Sequence, residues 1–272
     1  MERSNYPGEV GIGLVTVLVA GCIFFIIQSA INMTTSVQNR YTELLPYTIT
    51  SEDKQVTLQQ DTSKYSDAKP ILPSDNERTG IEFSYSFFLV VAESTFNGTD
   101  VLHNVFYKGY DNKQWPLLAP GVFIKGNTNT MRIIFNSVAD VYNHLDIENI
   151  PVNKWFHVVL NFKNLYLEVH INGKLTKKLS FHDSLPYQNY GNVTIFSNNA
   201  IKITRDPPNS SIEISDTCAT GKLSNLVYTR YALSYNEIQG LFTKGPSSTI
   251  KSTSSLDTPP YFADSWYSSQ TN

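Results

Sequence analysis

Acidic and amide side chains are concentrated between positions 140 and 148, where they are suited to bind a metal ion. The four residues are Asp140, Asn143, Asp146 and Glu148. Oxygen atoms of this kind are the ligands that Ca²⁺ prefers. We expect a loop here, before Pro151, with Asp140, Asp146 and Glu148 as candidate Ca²⁺ ligands. Carboxylates are usually exposed for solubility, so a plain acidic loop without metal is the alternative.

Two further segments combine aromatic rings with amide or carboxylate groups, the combination that binds a sugar through ring packing and hydrogen bonds. The first holds Tyr110, Asp111, Asn112 and Trp115, and the second holds Tyr142, Asn143 and His144. We expect both to be loops that present these side chains to a carbohydrate. Asn and Asp also favour turns, so ordinary connecting loops are the alternative.

The remaining reactive side chains form no recognisable catalytic grouping. No Ser-His-Asp or Cys-His arrangement is inferred, and Cys218 has no basic or helical context that would activate its thiol. His157 and His170 lie inside predicted strands, where packing or a satisfied hydrogen bond is their expected role. The sequence therefore predicts that the protein is not an enzyme.

The charge balance argues against a nucleic-acid partner. The chain carries 21 basic and 24 acidic residues, for a net charge of −3. Phosphate binding requires a basic face, and Lys174, Lys177 and Lys178 surround a predicted hairpin, where we expect them to be solvated. We expect no nucleic acid among the partners.

A period-two alternation of apolar and polar residues begins at Ile81 and predicts a strand with one face in a core. The predicted strands are residues 81–91, 103–108, 121–125, 131–136, 155–162, 165–172, 174–181, 193–197 and 223–231. Asn172-Gly173 predicts a two-residue hairpin turn. Ser234 and Glu237 predict a capping box that opens one short helix, which Gly245-Pro246 ends. Many short strands with one helix indicate a sandwich or jelly roll.

Residues 10–31 contain no Asp, Glu, Lys or Arg and are long enough, at roughly 33 Å as a helix, to cross a hydrocarbon core. We expect a single transmembrane helix in the lipid bilayer, with a weak charge preference for a cytoplasmic N-terminus. Three alternatives remain. They are a buried helix of a soluble domain, a cleaved signal sequence, and a bacterial lipoprotein signal at Val19-Ala20-Gly21-Cys22.

Composition divides the rest of the chain. Residues 1–9 form a short N-terminal segment, and residues 32–77 are predicted to form a polar stalk, with short strands that pack on another part of the structure left open. Residues 78–246 hold the predicted strands. Residues 247–272 form a Ser/Thr/Pro-rich arm that ends in aromatic residues. A free tail and an arm that docks these aromatic residues on a partner or on its own domain are both open.

Three stretches, taken together and in order, resemble the concanavalin A-like lectin/glucanase superfamily in its laminin G-like form. They are GIEFSYSFF at residues 80–88, NKWFHVV leading to LEVHINGK at residues 153–174, and GKLSNL leading to Gly245-Pro246 at residues 221–246. The resemblance covers residues 78–246 and implies a two-sheet antiparallel jelly-roll sandwich. The N-terminal anchor and the Asn-, Tyr- and Ile-rich composition also resemble versions encoded by large DNA viruses, which are virion structural or surface proteins.

The resemblance supplies a catalytic motif to test. Retaining glucanases of the superfamily carry Glu-X-Asp-X-X-Glu on one strand, which places alternate carboxylates on one face. This chain lacks that motif. Asp146 and Glu148 alternate but have no third carboxylate, and Glu213 and Asp216 have the wrong spacing. A glycosidase is therefore the remote alternative.

The expected function is a non-enzymatic, membrane-anchored structural or interaction protein. The resemblance places it in a virion, as a minor capsid or virion membrane protein whose sandwich contacts neighbouring structural proteins. The alternative is a carbohydrate-binding attachment or receptor module. We expect no cofactor apart from the candidate Ca²⁺.

Overall fold

The chain divides into an N-terminal unit that ends at Tyr41 and a second unit that begins at Thr42. The computed structural model describes residues 6–53, 55–74, 80–110, 117–182, 184–204 and 212–251. Residues 1–5 and most of the predicted C-terminal arm lie outside these ranges.

The first unit is a single helix, α1 (Tyr6–Arg40). Its segment Gly11–Ile31 has 21 residues, none of them buried, and is long and apolar enough to cross a membrane. A signal sequence near an N-terminus has the same properties. The segment agrees within one residue with the predicted span at residues 10–31.

The second unit is built mainly from strands. Within the described residues its elements are β1 (Tyr41–Thr50), β2 (Val56–Leu58), β3 (Glu82–Val91), a 3₁₀ turn (Glu93–Thr95), β4 (Leu102–Tyr110), β5 (Leu117–Lys125), β6 (Thr130–Phe135), β7 (Asn143–Glu148), β8 (Phe156–Lys163), β9 (Tyr166–Ile171), β10 (Lys174–Ser180), β11 (Asn192–Ile195), β12 (Ile201–Thr204), β13 (Ile212–Ser215), β14 (Thr217–Cys218), β15 (Gly221–Thr229) and α2 (Tyr235–Lys244).

These strands form two large sheets. A six-stranded sheet has the order β1-β15-β3-β8-β9-β10, and a seven-stranded sheet has the order β2-β11-β4-β5-β6-β7, with β14 beside β4. The long pairings are antiparallel, and only the short β14 runs parallel to its partner among the described strands. The predicted all-β fold of two antiparallel sheets is therefore confirmed.

The core lies between the two sheets because alternate residues of each strand point inward. Phe83 on β3 and Phe162 on β8 stack with ring centroids 4.3 Å apart. Phe135, on β6 of the other sheet, approaches Phe162 at the same 4.3 Å. All three rings are fully buried, and they join the two sheets at the centre of the unit.

The two local turn and cap predictions are confirmed. Asn172 and Gly173 have φ angles of 50° and 77° and connect β9 to β10 as a hairpin. Ser234 and Glu237 form the capping box at the start of α2, and Gly245 ends the helix with a φ of 73°.

The second unit, called the β-unit from here on, begins earlier in the chain than the sequence indicated. The composition of residues 32–77 predicts a stalk, but β1 lies beside β15 at the edge of the six-stranded sheet and β2 pairs with β11. Leu44 and Leu45 are both fully buried. Two consecutive buried residues break the period-two pattern, so the alternation typical of a strand is absent there. The unit therefore starts at Thr42, not at residue 78.

The predicted acidic loop is also corrected. Residues 143–148 form β7, which pairs with β6 along its whole length. Leu145 and Ile147 join the core, so the polar residues between them occupy the outer face. The alternation is present in the sequence, but its acidic members are equally typical of a loop.

The start of the C-terminal arm lies against the sheet. Residues 249–251 run beside β1, where the Thr48 amide donates to the Thr249 carbonyl at 2.8 Å and the Lys251 amide donates to the Thr48 carbonyl at 3.1 Å. The predictions for residues 252–272 lie outside the described residues.

The stack between the sheets predicts the effect of a core substitution. We expect Phe162→Ala to lower the free energy of unfolding by about 3–5 kcal/mol, because it removes a ring that contacts both sheets. Tyr187→Ala is the control, since this ring is 41% exposed. Thermal unfolding of the full chain in detergent measures both variants, and equal stability losses would contradict the assigned core.

Candidate ligand-binding site

An open cleft of about 720 Å³ lies over the β2, β11 and β4 end of the seven-stranded sheet. Val56, Leu58, Val193 and Ile195 of these strands pack on the core, so the residues that alternate with them face outward. The floor of the cleft is formed by Gln55, Thr57, Gln59, Tyr107, Asn192 and Thr194. Its wall is formed by the segment after β2, residues 60–73, and by Tyr190.

The floor presents uncharged hydrogen-bonding groups in a row. Thr194 lies opposite Thr57 on one side and Tyr107 on the other. Neither threonine hydroxyl has a hydrogen-bond partner among the described residues. Both threonines line the cleft, but Thr57 is half-buried whereas Thr194 is 6% exposed, so a ligand reaches the Thr57 hydroxyl more fully as donor and acceptor.

Two amide side chains fix the wall to the floor. The Asn192 side chain accepts from the Gln60 amide at 3.0 Å and donates to the Gln59 side chain at 2.8 Å. The Gln60 side chain donates to the Lys69 carbonyl at 2.9 Å and accepts from the Ile71 amide at 2.7 Å. These bonds hold both ends of the wall segment, so the cleft is formed before any ligand enters it.

Two glycines allow the chains beside the floor to approach closely. A Cβ atom at Gly191 would lie 2.4 Å from the Gly109 backbone. A Cβ atom at Gly109, where φ is 154°, would lie 1.6 Å from the Leu117 carbonyl oxygen. Only glycine fits at these positions.

A buried lysine supports the wall from below. Lys108 is 3% exposed, and its ammonium group donates to the Asn189 carbonyl, to the Asn189 side-chain oxygen at 3.3 Å and to the Gly191 carbonyl at 3.2 Å. Burial lowers the pKa of Lys108 to about 8. Its acceptors lie on both sides of Tyr190, so Lys108 fixes the loop that carries this ring.

The aromatic rings of the wall are exposed. The Tyr190 side chain is 71% exposed and that of Tyr65 is 44% exposed. Asp61 and Lys64 form an exposed ion pair at 3.3 Å beside them. The cleft thus combines ring faces in the wall with neutral hydroxyl and amide groups in the floor.

Most of the first group of predicted sugar-binding residues lies outside the described residues. Tyr110 is the last residue of β4. Asp111, Asn112 and Trp115 lie outside the described residues, and their predicted role stays a prediction.

The second predicted group lies elsewhere on the seven-stranded sheet. Tyr142 is 6% exposed and belongs to a buried cluster with Phe123 and Ile134. Its ring therefore has no free face on which a sugar can pack. Asn143 donates from its side chain to Ser137 at 3.1 Å, and the His144 ring packs 5.1 Å from Tyr142.

The predicted Ca²⁺ ligands are not assembled into a site. Asp146 accepts from Arg132 at 2.7 Å and from Lys125 at 2.9 Å. Burial raises the pKa of Asp146, but the hydrogen bonds and charges of these two cations outweigh that effect and lower it to about 2. Asp140 accepts from the Tyr142 amide at 2.8 Å, and Glu148 is exposed at the end of β7. Among the described residues, no group of three or more His, Cys, Asp or Glu side chains is placed to hold a metal ion.

Half of the cleft falls in the predicted stalk, so the sequence did not predict it. The signal was present in Gln55-Val56-Thr57-Leu58-Gln59, where polar and apolar residues alternate as in a strand with one polar face. The contribution of Tyr190 and Asn192 depends on contacts between segments more than 100 residues apart, which a local pattern does not reveal.

Comparison with known proteins gives similarities at the level of solved structures. No family model matches the chain, and no curated protein matches it. The receptor-binding domain of botulinum neurotoxin D aligns at 14% identity and a TM-score of 0.46, over 65% of this chain and 39% of that one. The receptor-binding domain of the mosaic serotype C/D aligns at 12% identity and a TM-score of 0.48, over 75% and 45%.

A third solved structure is the serotype D ligand-binding domain in complex with N-acetylneuraminic acid, at 14% identity and a TM-score of 0.44. The chain spans less than half the length of each of these proteins. At these scores we draw no functional conclusion from the similarity.

The burial of Lys108 predicts a pH dependence of stability. Its pKa falls from 10.5 in the unfolded chain to about 8 in the folded one, so the unfolded state binds the proton more tightly. Stability due to this group therefore rises as pH increases from 8 towards 10.5. We expect the wild type to gain about 2 kcal/mol relative to Lys108→Met between about pH 7.5 and pH 9.5.

Thermal unfolding at the two pH values measures this gain. The exposed Lys222 serves as the control, because Lys222→Met should keep the pH dependence of the wild type. A Lys108→Met variant with that same dependence would show that Lys108 is not buried as a cation.

Proposed function

We propose that the protein is a membrane-tethered, non-enzymatic binding module whose β-sandwich takes a carbohydrate in the cleft. One observation carries the proposal. The cleft joins unpartnered hydroxyls in its floor to exposed tyrosine rings in its wall. The alternative function drawn from the sequence is thereby preferred to a purely structural role, although the residues that support it are different.

The chemistry of the cleft matches that of a neutral sugar. A sugar ring carries hydroxyls around its edge and an apolar C–H surface on its face. Thr57, Thr194 and Gln55 supply hydroxyl and amide groups for the hydroxyls, and the Tyr190 ring supplies an apolar face for the C–H surface. The floor side chains carry no formal charge, which favours a neutral ligand over an anionic one.

The same residues support binding in preference to hydrolysis. A retaining glycosidase needs two carboxyl groups about 5–5.5 Å apart across the scissile bond. Among the described residues that line the cleft, Asp61 is the one carboxylate, and it pairs with Lys64. The predicted absence of enzymatic activity is thus retained as part of the proposal.

The tether is α1, whose segment Gly11–Ile31 exposes apolar side chains on every side. A helix that is apolar all round is stable inside a protein core or a bilayer. The cytoplasmic N-terminus, the contacts with neighbouring structural proteins and the place in a virion stay predictions of the sequence. Purified particles that lack the chain would contradict the virion prediction.

Membrane extraction tests the tether. We expect the full chain to stay in the membrane fraction after washing with high salt and with alkaline carbonate, and to be released by detergent, because an inserted apolar helix does not depend on charge. N-terminal sequencing distinguishes an anchor from a signal sequence. Release by salt alone, or a mature chain that begins after residue 31, would contradict the tether.

A glycan array tests the ligand. We expect the full chain in detergent to bind neutral glycans, and Tyr190→Ala to weaken that binding roughly 10-fold or more, because the ring packs on the sugar at the centre of the contact. Tyr235→Ala is the matched control, since this ring is 67% exposed on α2, against 71% for Tyr190. Absence of wild-type binding, or equal binding by Tyr190→Ala, would overturn the carbohydrate assignment.

A further inference from the structure

Helix α2 covers part of the outer face of the six-stranded sheet with few apolar contacts. Leu233, just before the helix, and Ile238 within it pack on Val159 of β8. The Gln239 side chain donates to the Gly173 carbonyl at 2.8 Å. The Leu233 amide donates to the Asn161 side chain of β8 at 2.9 Å, and that side chain donates back to the Leu233 carbonyl at 3.0 Å. A helix of 10 residues is marginal in water by itself, so its helical state depends on this packing.

Two buried histidines lie on the face next to this contact. His157 on β8 is fully buried, and His170 on β9 is 8% exposed. His170 lies directly opposite Val159, two residues along β8 from His157. The His157 ring packs against Phe88 at 4.6 Å and against Phe242 of α2 at 6.0 Å.

Most of the ring nitrogens have no hydrogen-bond partner. His157 Nε2 lies 2.8 Å from the Ser86 hydroxyl, but His157 Nδ1 and both nitrogens of His170 are buried without one. The sequence predicted packing or a satisfied hydrogen bond for these histidines; the His157 ring packs and its Nε2 has a partner, whereas the other three nitrogens have none. A neutral imidazole tolerates this environment, whereas an imidazolium would bury a charge with no acceptor for its N–H groups.

The charged groups around the pair compensate only in part for an added positive charge. On β9, Glu168 is the nearest carboxylate and pairs with Lys163 at 2.8 Å and with Lys178 of β10 at 3.5 Å. From β10, Lys174 and Lys177 also lie near this end of the sheet.

The charged groups of α2 and β3 add little compensation for a positive charge on the histidines. Glu237 of α2 is held by the Ser234 and Tyr231 side chains, and Lys244 pairs with Glu43 at 3.3 Å. On β3, Glu82 lies opposite Lys163, away from His157.

We propose that α2 is an acid-released element: protonation of His157 and His170 separates it from the sheet while the strands stay paired. The strands are held by ladders of backbone hydrogen bonds that the histidine charges do not touch. Hydrogen bonds to Leu233 and Gly245 fix the chain just outside the two ends of the helix. Between those points the helix is held by the Gln239 hydrogen bond and by the small apolar contact that borders those charges. This device is independent of the cleft and of its ligand.

The direction of the histidine pKa shifts supports the proposal. Burial, together with the charge that His170 would carry, lowers the pKa of His157 from 6.5 to about 4. Burial also lowers the pKa of His170, although Glu168 acts in the opposite direction. A lowered pKa means that the neutral histidines contribute their full stability to the packing of α2 on the sheet above pH 6.5. This contribution is lost as pH falls towards 4.

Hydrogen exchange of the full chain in detergent tests this release. We expect the opening constant of residues 234–244, after correction for the intrinsic exchange rate, to rise roughly 50-fold between about pH 7.5 and pH 4.5 from His157 alone. The amides of β3 and β8 should keep their protection. An opening constant of α2 that does not change with pH, or simultaneous loss of protection in β3 and β8, would overturn the proposal.

Variants assign the effect to the histidines. His157→Gln combined with His170→Gln removes both titrating groups, and the acid response of α2 should then fall below about 3-fold. His182→Asn is the control, because His182 is exposed and its φ of 45° is one that Asn tolerates. This control should respond like the wild type, and an unchanged response in the double variant would contradict the assignment.

A measurement on the unmodified chain guards against a variant that fails to fold. Exchange of the imidazole C2 hydrogen, followed by mass spectrometry, reports the pKa of each histidine. We expect a midpoint for His157 well below its ordinary value of 6.5. A midpoint at the ordinary value would overturn the proposal whatever the variants show.

Discussion

The packing of the two sheets against each other determines the rest of the β-unit. The ring centroids of Phe83 and Phe135, one from each sheet, both lie 4.3 Å from that of Phe162. The inward residues of every long strand join the same core. Because strands alternate, filling the inner faces also determines what points outward. One outer face carries the cleft, and the other carries α2.

Stability from this core allows polar groups to be buried at a cost in both sheets. Lys108 is buried without a carboxylate among its contacts, and its pKa falls to about 8. His157 and His170 are buried with unpartnered nitrogens. Each arrangement lowers the small net stability typical of a folded domain. Lys108 fixes the loop that carries the Tyr190 ring, and the two histidines border the contact between α2 and the sheet.

Local sequence patterns predicted the parts of the fold that obey a simple period. The alternation from Ile81 onward, the Asn172-Gly173 turn and the Ser234 capping box all correspond to observed elements. The edge strand β1 escaped because its buried Leu44 and Leu45 are consecutive, and β7 escaped because its outward residues are acidic. The sequence also supplied no reason for His170 to lack hydrogen-bond partners.

The cleft was beyond local reasoning for a different reason. Its floor brings together Thr57, Tyr107 and Thr194, which come from three distant parts of the chain and meet only through strand pairing. The residues chosen from composition were aromatic and amide residues close together in sequence. Tyr142 shows the weakness of that choice, because the same ring that suits a sugar also suits a buried cluster on the outer face.

Hydroxyl-radical footprinting of the full chain on membranes, with and without a neutral glycan that it binds, tests the function most directly. If the glycan binds in the cleft, oxidation of Tyr190 and Tyr65 falls when the glycan is present, while oxidation of Tyr187 and Tyr235 stays the same. Protection of Tyr187 or Tyr235 instead, or no change at Tyr190, would contradict a ligand in the cleft.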